Sequence, residues 1–433
     1  MKIVFLTPGT GSYNCGACMR DNALARELQR TGHEVTIAPM YLPLILDETT
    51  LAGAENVPVF FGGINVLLQQ KLALFRHTPA WIDGLLNSTG LLRWAARHSH
   101  MTSARTHGEM TLEMLHVDTS PLRKELDKLL DWLEQIEQPD LVCLSNALLA
   151  GFAAEIKRRL RARVVLFFQG EDSFLDGLPE PYRSQCWAAL KEKLPASDVL
   201  LAPSLYYAEF MRARLGLAPK AIEAVPNGIW LDGYAATDAT PVTPTIGYLA
   251  RMCREKGVEL LVDAFVILAR DLGDTTTQLK IAGAATAGDQ LLIAELQQRI
   301  ANAGLASRVE WRPNLTRDEK IAFLRSLTLF SVPALYAEAF GLYVIEAMAC
   351  GIPVVQPDSA AFPELIAATG GGVCVPPRDA GALARAWRQL LGDDSRRASL
   401  GHAGRLGVEK LFSAPTMCEK FCQVTRRLTR ATT

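Results

Sequence analysis

Two glutamates eight residues apart, Glu338 and Glu346, stand in a stretch that is otherwise rich in small and apolar residues. An apolar run at 327–332 precedes them. From Gly341 onward apolar residues recur at helical spacing until the breaker sequence at 351–353. The pattern predicts a strand, a loop that carries Glu338, and a helix that begins at Gly341 and carries Glu346. A loop carboxylate can accept hydrogen bonds from sugar hydroxyls, and a carboxylate on the first helical turns can hold a ribose.

The backbone amides of Phe340, Gly341 and Leu342 fall at the N-terminus of this predicted helix. Unpaired N–H groups and the positive end of the helix dipole favour a phosphate at such a position. Because Gly341 has no Cβ, the backbone can approach a ligand closely there. The stretch therefore predicts a site for a sugar joined to phosphate. An amphipathic helix with two incidental carboxylates is the alternative.

A second stretch combines a predicted strand from Thr245 with a loop that carries Arg251 and Lys256, followed by Gly257 and a helix. Negative charge develops on a diphosphate when it leaves, and a fixed arginine and lysine stabilise that charge without a metal ion. The sequence contains no Asp-x-Asp pair. We therefore expect no metal site and no metal-bridged diphosphate.

The N-terminal half opens with an apolar strand at 2–7, a glycine-rich loop at 9–16, a helix, and a second strand at 33–39. This βαβ order is typical of a doubly wound α/β domain. A dinucleotide fingerprint would need glycine or alanine three residues after Gly11, where Asn14 stands. The loop therefore does not predict a dinucleotide site.

Cys15 and Cys18 form a single C-x-x-C pair just before the first helix. A redox pair is one interpretation, because a helix N-terminus lowers the pKa of a thiol. A zinc site would need a second pair at suitable spacing, which the sequence lacks. Small cysteines that line a ligand cleft are the simpler interpretation.

Polar residues stand at the carboxyl ends of two further predicted strands of the N-terminal half. Asn146 is the last residue of the strand predicted at 139–146, and Gln169, Glu171 and Asp172 follow the strand predicted at 163–168. Ligands of open α/β sheets bind at the carboxyl ends of the strands, so these side chains are candidate ligand contacts. Asp172 has a second interpretation, as a cap of the following turn.

The region 66–116 interleaves aromatic and basic residues on predicted helices and contains five of the seven histidines. A membrane-surface or acceptor-binding face is one interpretation. The other is that the aromatic residues pack inward and the basic residues are solvated. The histidine spacings do not match a zinc helix motif.

The segment from Glu338 to Val355, EAFGLYVIEAMACGIPVV, resembles the E-x7-E signature of retaining glycosyltransferases of the family-4 type, which have the GT-B fold. The segment at 245–257 resembles the family's G-R-L-x-x-x-K-G loop, with Ala250 in place of the glycine. VPNGI at 225–229 and RELQRTGHEV at 26–35 resemble further family stretches.

This resemblance implies an α/β protein of GT-B fold, with two Rossmann-like, doubly wound parallel-sheet domains facing a cleft. The acceptor-side domain would comprise residues 1–225, with the final helix at about 415–433 packing back on it. Residues 226–414 would form the nucleotide-sugar donor domain.

The resemblance also implies a role for each candidate residue. Arg251 and Lys256 would act on the diphosphate and Glu338 on the donor sugar, as the catalytic set. Donor-binding groups would be Glu346 on the ribose, the amides at Phe340, Gly341 and Leu342, Gly11 near the donor phosphate or the acceptor, and Arg312 near the base. On the acceptor side stand Gln169, where many members have histidine, with Glu171, Asp172 and Asn146.

Size and composition limit the number of domains and the classes of protein to which this chain can belong. A chain of 433 residues fits two domains, and a formal net charge of −1 gives no support for nucleic-acid binding. The N-terminal apolar run is too short for a signal peptide, and no apolar run reaches the ~18 residues of a spanning helix. Nine scattered cysteines without a disulfide-like framework favour a reduced, cytoplasmic setting.

We therefore expect a retaining glycosyltransferase that uses a UDP-, GDP- or ADP-sugar and requires no other cofactor. Its expected partners are the donor and an acceptor of unknown identity, with peripheral membrane association through 66–116 as an option and the oligomeric state open. A nucleotide-sugar epimerase or hydrolase and a non-catalytic sugar-nucleotide-binding protein are the alternatives. A glycosidase that uses Glu338 and Glu346 is disfavoured, because its two carboxyl groups would have to face each other across the scissile bond.

Overall fold

The structure is a computed structural model that describes residues 1–9, 16–44, 46, 49–53, 57–61, 104–235 and 243–430, without the side chains of 104–106 and 429–430. The expectations for Gly11, Asn14, Cys15 and residues 66–103 lie outside these residues. The Cα positions divide the chain into two compact units, which are Met1–Pro226 with Cys418–Thr433, and Asn227–Met417. The assignment of an acceptor-side and a donor domain stays a prediction.

The first unit is built on a six-stranded, fully parallel sheet of order β2-β1-β3-β4-β5-β6. Its central strands are continuous apolar runs buried on both faces, as a sheet covered by helices on both sides requires. The strands are β1 Lys2–Thr7, β2 Glu34–Pro39, β3 Leu141–Leu144, β4 Arg163–Phe167, β5 Val199–Ala202 and β6 Ile222–Ala224.

The described helices of this unit connect the parallel strands, as βαβ crossovers demand. They are α1 Gly16–Arg30, α2 Ala104–Leu115, α3 Arg123–Trp132, α4 Ala153–Arg159, α5 Glu171–Asp176, α6 Tyr182–Lys193 and α7 Leu205–Leu215. Ser204 begins α7 with a side-chain cap, since its hydroxyl accepts a 3.0 Å hydrogen bond from the amide of Tyr207.

The second unit contains another six-stranded parallel sheet, of order β12-β11-β10-β7-β8-β9. Its strands are β7 Thr245–Leu249, β8 Gln278–Gly283, β9 Val309–Pro313, β10 Leu329–Phe330, β11 Val354–Pro357 and β12 Gly372–Val375. Its helices are α8 Val258–Arg270, α9 Gln290–Asn302, α10 Arg317–Arg325, α11 Leu342–Ala349, α12 Phe362–Thr369, α13 Ala380–Leu391 and α14 Asp394–Leu411.

The last helix, α15 Ala414–Arg430, begins in the second unit and belongs to the first unit from Cys418 onward. The ring of Phe421 stacks on Phe167 at 6.0 Å between centroids and lies 6.4 Å from the ring of Phe5. Aromatic burial therefore holds this helix against the sheet of the first unit. Among the helices described, none is long and apolar enough to cross a membrane.

Candidate active site

Glu338 lies at the centre of a polar cluster in the second unit. Oε2 of Glu338 accepts hydrogen bonds from Nζ of Lys256 at 2.6 Å, from the hydroxyl of Tyr343 at 2.7 Å and from the hydroxyl of Tyr336 at 2.9 Å. Only 12% of the Glu338 side chain and 19% of the Lys256 side chain are exposed. The structure thus brings together two residues of the predicted catalytic set and adds two tyrosines.

The two tyrosines also surround the ammonium group of Lys256. Its Nζ lies 4.9 Å from the ring centroid of Tyr336 and 5.1 Å from that of Tyr343, within the range of cation–π attraction. Burial and the neighbouring Glu338 carboxylate raise the pKa of both tyrosines above the ordinary range. Their hydroxyls therefore stay protonated and act as hydrogen-bond donors to Glu338.

The loop that carries Lys256 reaches Glu338 because it packs tightly against the segment that follows β10. Gly257 has φ of +73°, and a Cβ at this position would lie 1.8 Å from the carbonyl oxygen of Pro333. The amide of Leu335 donates to the carbonyl oxygen of Glu255 at 2.9 Å. A glycine at 257 is therefore required both by the backbone conformation and by the close approach of the two segments.

Arg251 has a different partner from Lys256. Its side chain is 58% exposed, and Nη2 lies 3.4 Å from Oδ1 of Asp289. The Asp289 carboxylate also closes a capping box with Thr286. Burial alone would raise the pKa of Asp289, but the Thr286 hydrogen bonds and the Arg251 charge lower it overall. The guanidinium is thus held loosely at the carboxyl end of β7, where it stays open to an anion.

Helix α11 begins after its N-cap residue Gly341, which has φ of +93°. Glycine has no side chain, so the N-cap residue offers no side-chain hydrogen bond to the first amides of this helix. Phe340 is buried, whereas Leu342 is half-buried. The amides of the first turn have no partner four residues back within the helix, so they are positioned to donate to a phosphate or to water. This is the place where the sequence predicted phosphate-binding amides, and their role stays a prediction.

Glu346 lies on α11 and is 5% exposed. Its Oε1 accepts hydrogen bonds from the hydroxyl of Tyr234 at 2.7 Å and from Nζ of Lys320 at 2.8 Å. Lys320 is itself 7% exposed, which is rare for lysine unless it is paired. Glu346, the residue predicted to bind the ribose, is therefore a buried carboxylate paired with the buried ammonium group of Lys320.

Arg312 lies on β9, an edge strand of the second sheet. Its Nε is 3.7 Å from Oε1 of Glu310, and its side chain is 35% exposed. Arg312 is thus an accessible cation near the end of a strand, and its contact with a nucleotide base stays a prediction.

In the first unit, Glu171 joins the loops after β3 and β4. Its Oε1 accepts from the amide of Ala147 at 2.8 Å, and its Oε2 accepts from the amide of Gln169 at 2.8 Å. The side chain is buried, and burial raises the pKa of the carboxyl group despite these two amides. Glu171 therefore holds two loops together at the carboxyl edge of the sheet, where Gln169 is half-buried.

The two other acceptor-side candidates also have partners within the unit. The side chain of Asn146 caps the 3-10 helix Ala147–Phe152, because Oδ1 accepts from the amide of Leu148 at 3.0 Å. Oδ1 of Asp172 accepts from the hydroxyl of Tyr207 at 2.7 Å, and burial raises the pKa of this carboxyl group. The N-cap residue of α5 is Gly170, not Asp172. Their contact with an acceptor stays a prediction.

A buried ion pair in the first unit was missed by the sequence analysis. Nη2 of Arg20 lies 2.9 Å from Oδ1 of Asp21, and both side chains are at most 1% exposed. Thr7 and Ser145 donate to Oδ2 of Asp21. The guanidinium also lies 3.7 Å from the ring centroid of Phe167, so the cluster ties together the carboxyl ends of β1, β3 and β4.

The sequence analysis also missed four residues, Tyr234, Lys320, Tyr336 and Tyr343. Tyr343 lies inside the E-x7-E segment, but at a position between the two glutamates that the signature does not specify. Adjacent charged residues on an amphipathic helix, as at 317–320, look like a solvated face in sequence. Among the residues that the structure describes, no group of three or more histidine, cysteine, aspartate or glutamate residues could hold a metal ion.

Comparison with known proteins identifies the fold and the family. The sucrose-phosphate synthase of Thermosynechococcus elongatus superposes with a TM-score of 0.71 over 99% of both chains at 18% identity. Anabaena HepE in complex with UDP-glucose superposes with a TM-score of 0.65 over 99% of this chain and 100% of that chain, also at 18% identity. The chain has the GT-B fold of these proteins.

The sequence family described as glycosyl transferases group 1 matches residues 238–407, and glycosyltransferase family 4 matches residues 118–232. Together the matches cover about two thirds of the 433 residues. The chain belongs to the family-4 glycosyltransferases.

Two curated relatives illustrate the range of the family. The D-inositol 3-phosphate glycosyltransferase of Xylanimonas cellulosilytica is 29% identical over 55% of this chain and 60% of its own length. The lipopolysaccharide core biosynthesis mannosyltransferase LpsB of Rhizobium meliloti is 33% identical over 40% of this chain and 48% of its own length. The chain thus spans about half to three fifths of the relatives that it matches.

Proposed function

We propose that this protein transfers a sugar from a nucleoside-diphosphate sugar to an acceptor hydroxyl, with retention of the anomeric configuration. The observation that carries the proposal is the cluster around Glu338. It places a lysine, a carboxylate and two tyrosine hydroxyls in contact in the same unit as the glycine-led N-terminus of α11. A donor made of a sugar and a diphosphate needs groups of this kind.

The roles follow from the chemistry of the groups. Lys256 and Arg251 supply positive charge for the departing diphosphate, while the first-turn amides of α11 donate to its oxygens. Oε2 of Glu338 is held by three donors, which leaves Oε1 to accept from a sugar hydroxyl. The leaving phosphate oxygen takes the proton of the acceptor hydroxyl, so the proposed step needs no other base.

The names of relatives include GDP-mannose-dependent enzymes, and a structural neighbour binds UDP-glucose. We therefore propose UDP-, GDP- or ADP-sugars as the donor class. The acceptor stays open among small molecules, lipid-linked sugars and polysaccharides, and membrane association through 66–116 and a cytoplasmic location stay predictions.

Calorimetric titration with UDP, GDP, ADP and TDP and their sugars tests the proposal. We expect one nucleotide series to bind, and Lys256→Ala and Glu346→Ala each to weaken binding about 10- to 100-fold, as the loss of a charge-assisted hydrogen bond predicts. Lys280→Ala is the matched control, because Lys280 lies in the second unit and donates to Ser326 at 3.2 Å.

Three results would contradict the proposal. The first is the absence of nucleotide binding in protein whose circular dichroism shows that it is folded. The second is conversion of the bound donor to an epimer or to free sugar, with no transfer to any member of an acceptor panel, which would indicate an epimerase or a hydrolase. The third is donor binding with no turnover of any kind, which would indicate a binding protein.

A further inference from the structure

A cavity of about 410 Å³ lies at the edge of the second sheet and shares no lining residue with the cluster around Glu338. Its lining residues come from β12 and the residue that follows it, from α13 and from the start of α14. Strand β12 is the outermost strand of its sheet, so none of the strands described covers its other side. A volume of this size is within the range of about 300–1,000 Å³ that is typical of small-molecule sites.

The sequence of α13 explains why space remains beside β12. Ala382, Ala386 and Leu390 recur every four residues, so they lie on one side of the helix. All three line the cavity, together with Val373 of β12. Leu390 is buried, whereas Ala386 and Val373 are half-buried. Alanine at two of these positions leaves room that a larger apolar side chain would fill, so the cavity has an apolar wall.

Two arginines line the same cavity. Arg385 lies on α13, and its side chain is 62% exposed. Its Nη2 is 4.0 Å from Oδ2 of Asp379, which is too long for a hydrogen bond. Arg396 lies near the start of α14 and is exposed. Its guanidinium forms no hydrogen bond or ion pair with any residue that the structure describes. Both guanidinium groups therefore have donors to offer a ligand.

The aspartates near these arginines in the chain serve as helix caps. The carboxylate of Asp379 caps the first turn of α13. That of Asp393 caps α14, because its Oδ1 accepts from the backbone amide of Arg396 at 2.9 Å. No aspartate or glutamate stands among the described residues that line the cavity. The lining thus carries two positive charges without a negative one, which favours an anion.

The chemistry of the lining defines a class of ligand. Guanidinium groups bind carboxylates and phosphates through paired, charge-assisted hydrogen bonds. The apolar wall beside them favours a ligand whose remaining part is apolar, because burial of that part adds to the affinity. An inorganic anion would leave the apolar wall in contact with water.

We propose that this cavity is a second ligand site of the protein, which binds a small carboxylate or phosphate that carries an apolar body. The anionic head group binds Arg385 and Arg396, and the apolar body packs against Val373, Ala386 and Leu390. The site is separate from the proposed donor site, so it does not depend on the proposed function.

The test uses the full chain and anilinonaphthalene sulfonate, a fluorescent probe with an anionic group on an apolar body. We expect the wild-type protein to bind this probe saturably. Arg385→Gln and Arg396→Gln are each expected to weaken binding about 3- to 10-fold, as the loss of one charge-assisted hydrogen bond predicts. Arg299→Gln is the matched control, because Arg299 is 52% exposed in the same unit and pairs with Asp263 outside the cavity.

A further variant distinguishes a cavity from a charged surface. Ala386→Leu keeps both arginines but fills the space beside β12, so we expect the affinity for the probe to fall about 10-fold or more. Attraction to surface charge alone would leave the affinity unchanged. Thermal unfolding checks the fold of each variant, and the two exposed arginine variants keep the test valid if Ala386→Leu does not fold.

Displacement of the probe identifies the ligand class. Octanoate and phenyl phosphate each carry one head group on an apolar body, so both are expected to displace the probe, and the stronger competitor identifies the head group. Inorganic phosphate at the same concentration is expected to displace far less of it, because it has no apolar body. UDP, GDP, ADP and TDP are expected to displace none, because the donor site lies elsewhere in the unit.

Cys374 provides a marker for the position of the probe. It lines the cavity and is half-buried. Burial and the nearby Asp358 carboxylate raise the pKa of this thiol to about 11, so N-ethylmaleimide labels it slowly. We expect bound probe to slow this labelling several-fold. Labelling of Cys422, the other half-buried cysteine among those described, is expected to stay unchanged when peptides are analysed by mass spectrometry.

The inference is overturned if the wild-type protein does not bind the probe, or if Arg385→Gln and Arg396→Gln bind it as tightly as Arg299→Gln does. Displacement by the nucleotides would place the probe in the donor site and would also overturn it. Equal displacement by inorganic phosphate would show that the apolar wall takes no part in binding, which contradicts the proposed ligand class. Failure of nucleotide binding alone would remove the proposed function and leave this inference standing.

Discussion

Nζ of Lys256 and Oε2 of Glu338 lie 2.6 Å apart although the two residues are separated by 82 positions in the chain. Lys256, the predicted diphosphate-binding cation, thus neutralises Glu338, the predicted sugar-binding carboxylate. A pair that is mostly buried and supported by further hydrogen bonds keeps its geometry better than an exposed one. An incoming diphosphate therefore meets an ammonium group that is already positioned by Glu338, Tyr336 and Tyr343.

The tyrosine hydroxyls are expected to matter for the sugar more than for the nucleotide. Tyr343→Phe removes one of three donors to Glu338, so the carboxylate is held less firmly while the phosphate-binding groups stay in place. We expect the affinity for the nucleoside diphosphate to change less than twofold and that for the nucleotide sugar to fall about 3- to 10-fold, as the loss of one hydrogen bond predicts. Calorimetry with both ligands measures the difference, and equal weakening of the two would contradict the assignment.

Gly257 offers a test of the close approach that positions Lys256. Gly273 has a similar φ of +70°, but a Cβ there would meet nothing within 4 Å. We expect Gly273→Ala to lower the free energy of unfolding by about 1 kcal/mol through backbone strain alone. Gly257→Ala adds the clash with Pro333, so a larger loss of stability and a loss of donor affinity are expected. Denaturant unfolding compares the two, and equal stability losses would show that the close approach is unimportant.

Glu171 predicts a pH-dependent contribution to stability. Its pKa in the folded protein lies above the ordinary 4.5 because the side chain is buried, so the unfolded chain loses its proton first as the pH rises. The contribution of Glu171 is therefore fully present below pH 4.5 and declines as the pH rises through the folded-state pKa. We expect the difference in free energy of unfolding between the wild-type protein and Glu171→Gln to decrease over this range.

Urea unfolding at a series of pH values measures this difference. Glu192→Gln is the control, because the side chain of Glu192 is 65% exposed and is expected to give no such trend. A difference between wild type and Glu171→Gln that does not vary with pH would refute the interpretation. The raised pKa of Asp172 does not interfere, since Asp172 is present in both proteins.

The buried pair of Arg20 and Asp21 predicts a strong effect on folding. Arg20→Met leaves the Asp21 carboxylate buried without its cation, which typically costs about 3–5 kcal/mol. Arg20→Met combined with Asp21→Asn removes both charges and keeps a side chain that can accept from Thr7 and Ser145, so part of the stability is expected to return. Chemical denaturation of the single and double variants measures this, and strictly additive effects would argue against a coupled pair.

Much of the fold was accessible from the sequence because it depends on local patterns. Apolar runs flanked by glycine and proline predicted the buried parallel strands, and helical spacing predicted α11 from Gly341 onward. The family matches and structural similarities confirm the GT-B fold and the glycosyltransferase family. The apolar run at 327–332 predicted a longer strand than the structure forms, since only Leu329–Phe330 is paired as strand β10. The length of a strand depends on hydrogen bonds to its neighbouring strands, which the apolar character of the run does not specify.

The candidate site was predictable only in part. The types and spacings of Glu338, Glu346, Arg251 and Lys256 follow from the sequence, since each stands in a recognisable loop or helix. The partner of each was decided by the tertiary structure. Parallel strands bring their following loops to one edge of the sheet, and the packing of those loops then selects the contacts.

The sequence by itself thus determined the α/β class, the family and the motif residues. Only the tertiary structure placed Lys256 against Glu338. It also decided that Tyr234 and Lys320 donate hydrogen bonds to Oε1 of Glu346. The physical reason is that a charged residue on an amphipathic helix has the same sequence pattern whether it faces water or a buried carboxylate. The burial that distinguishes the two arises from segments distant in the chain.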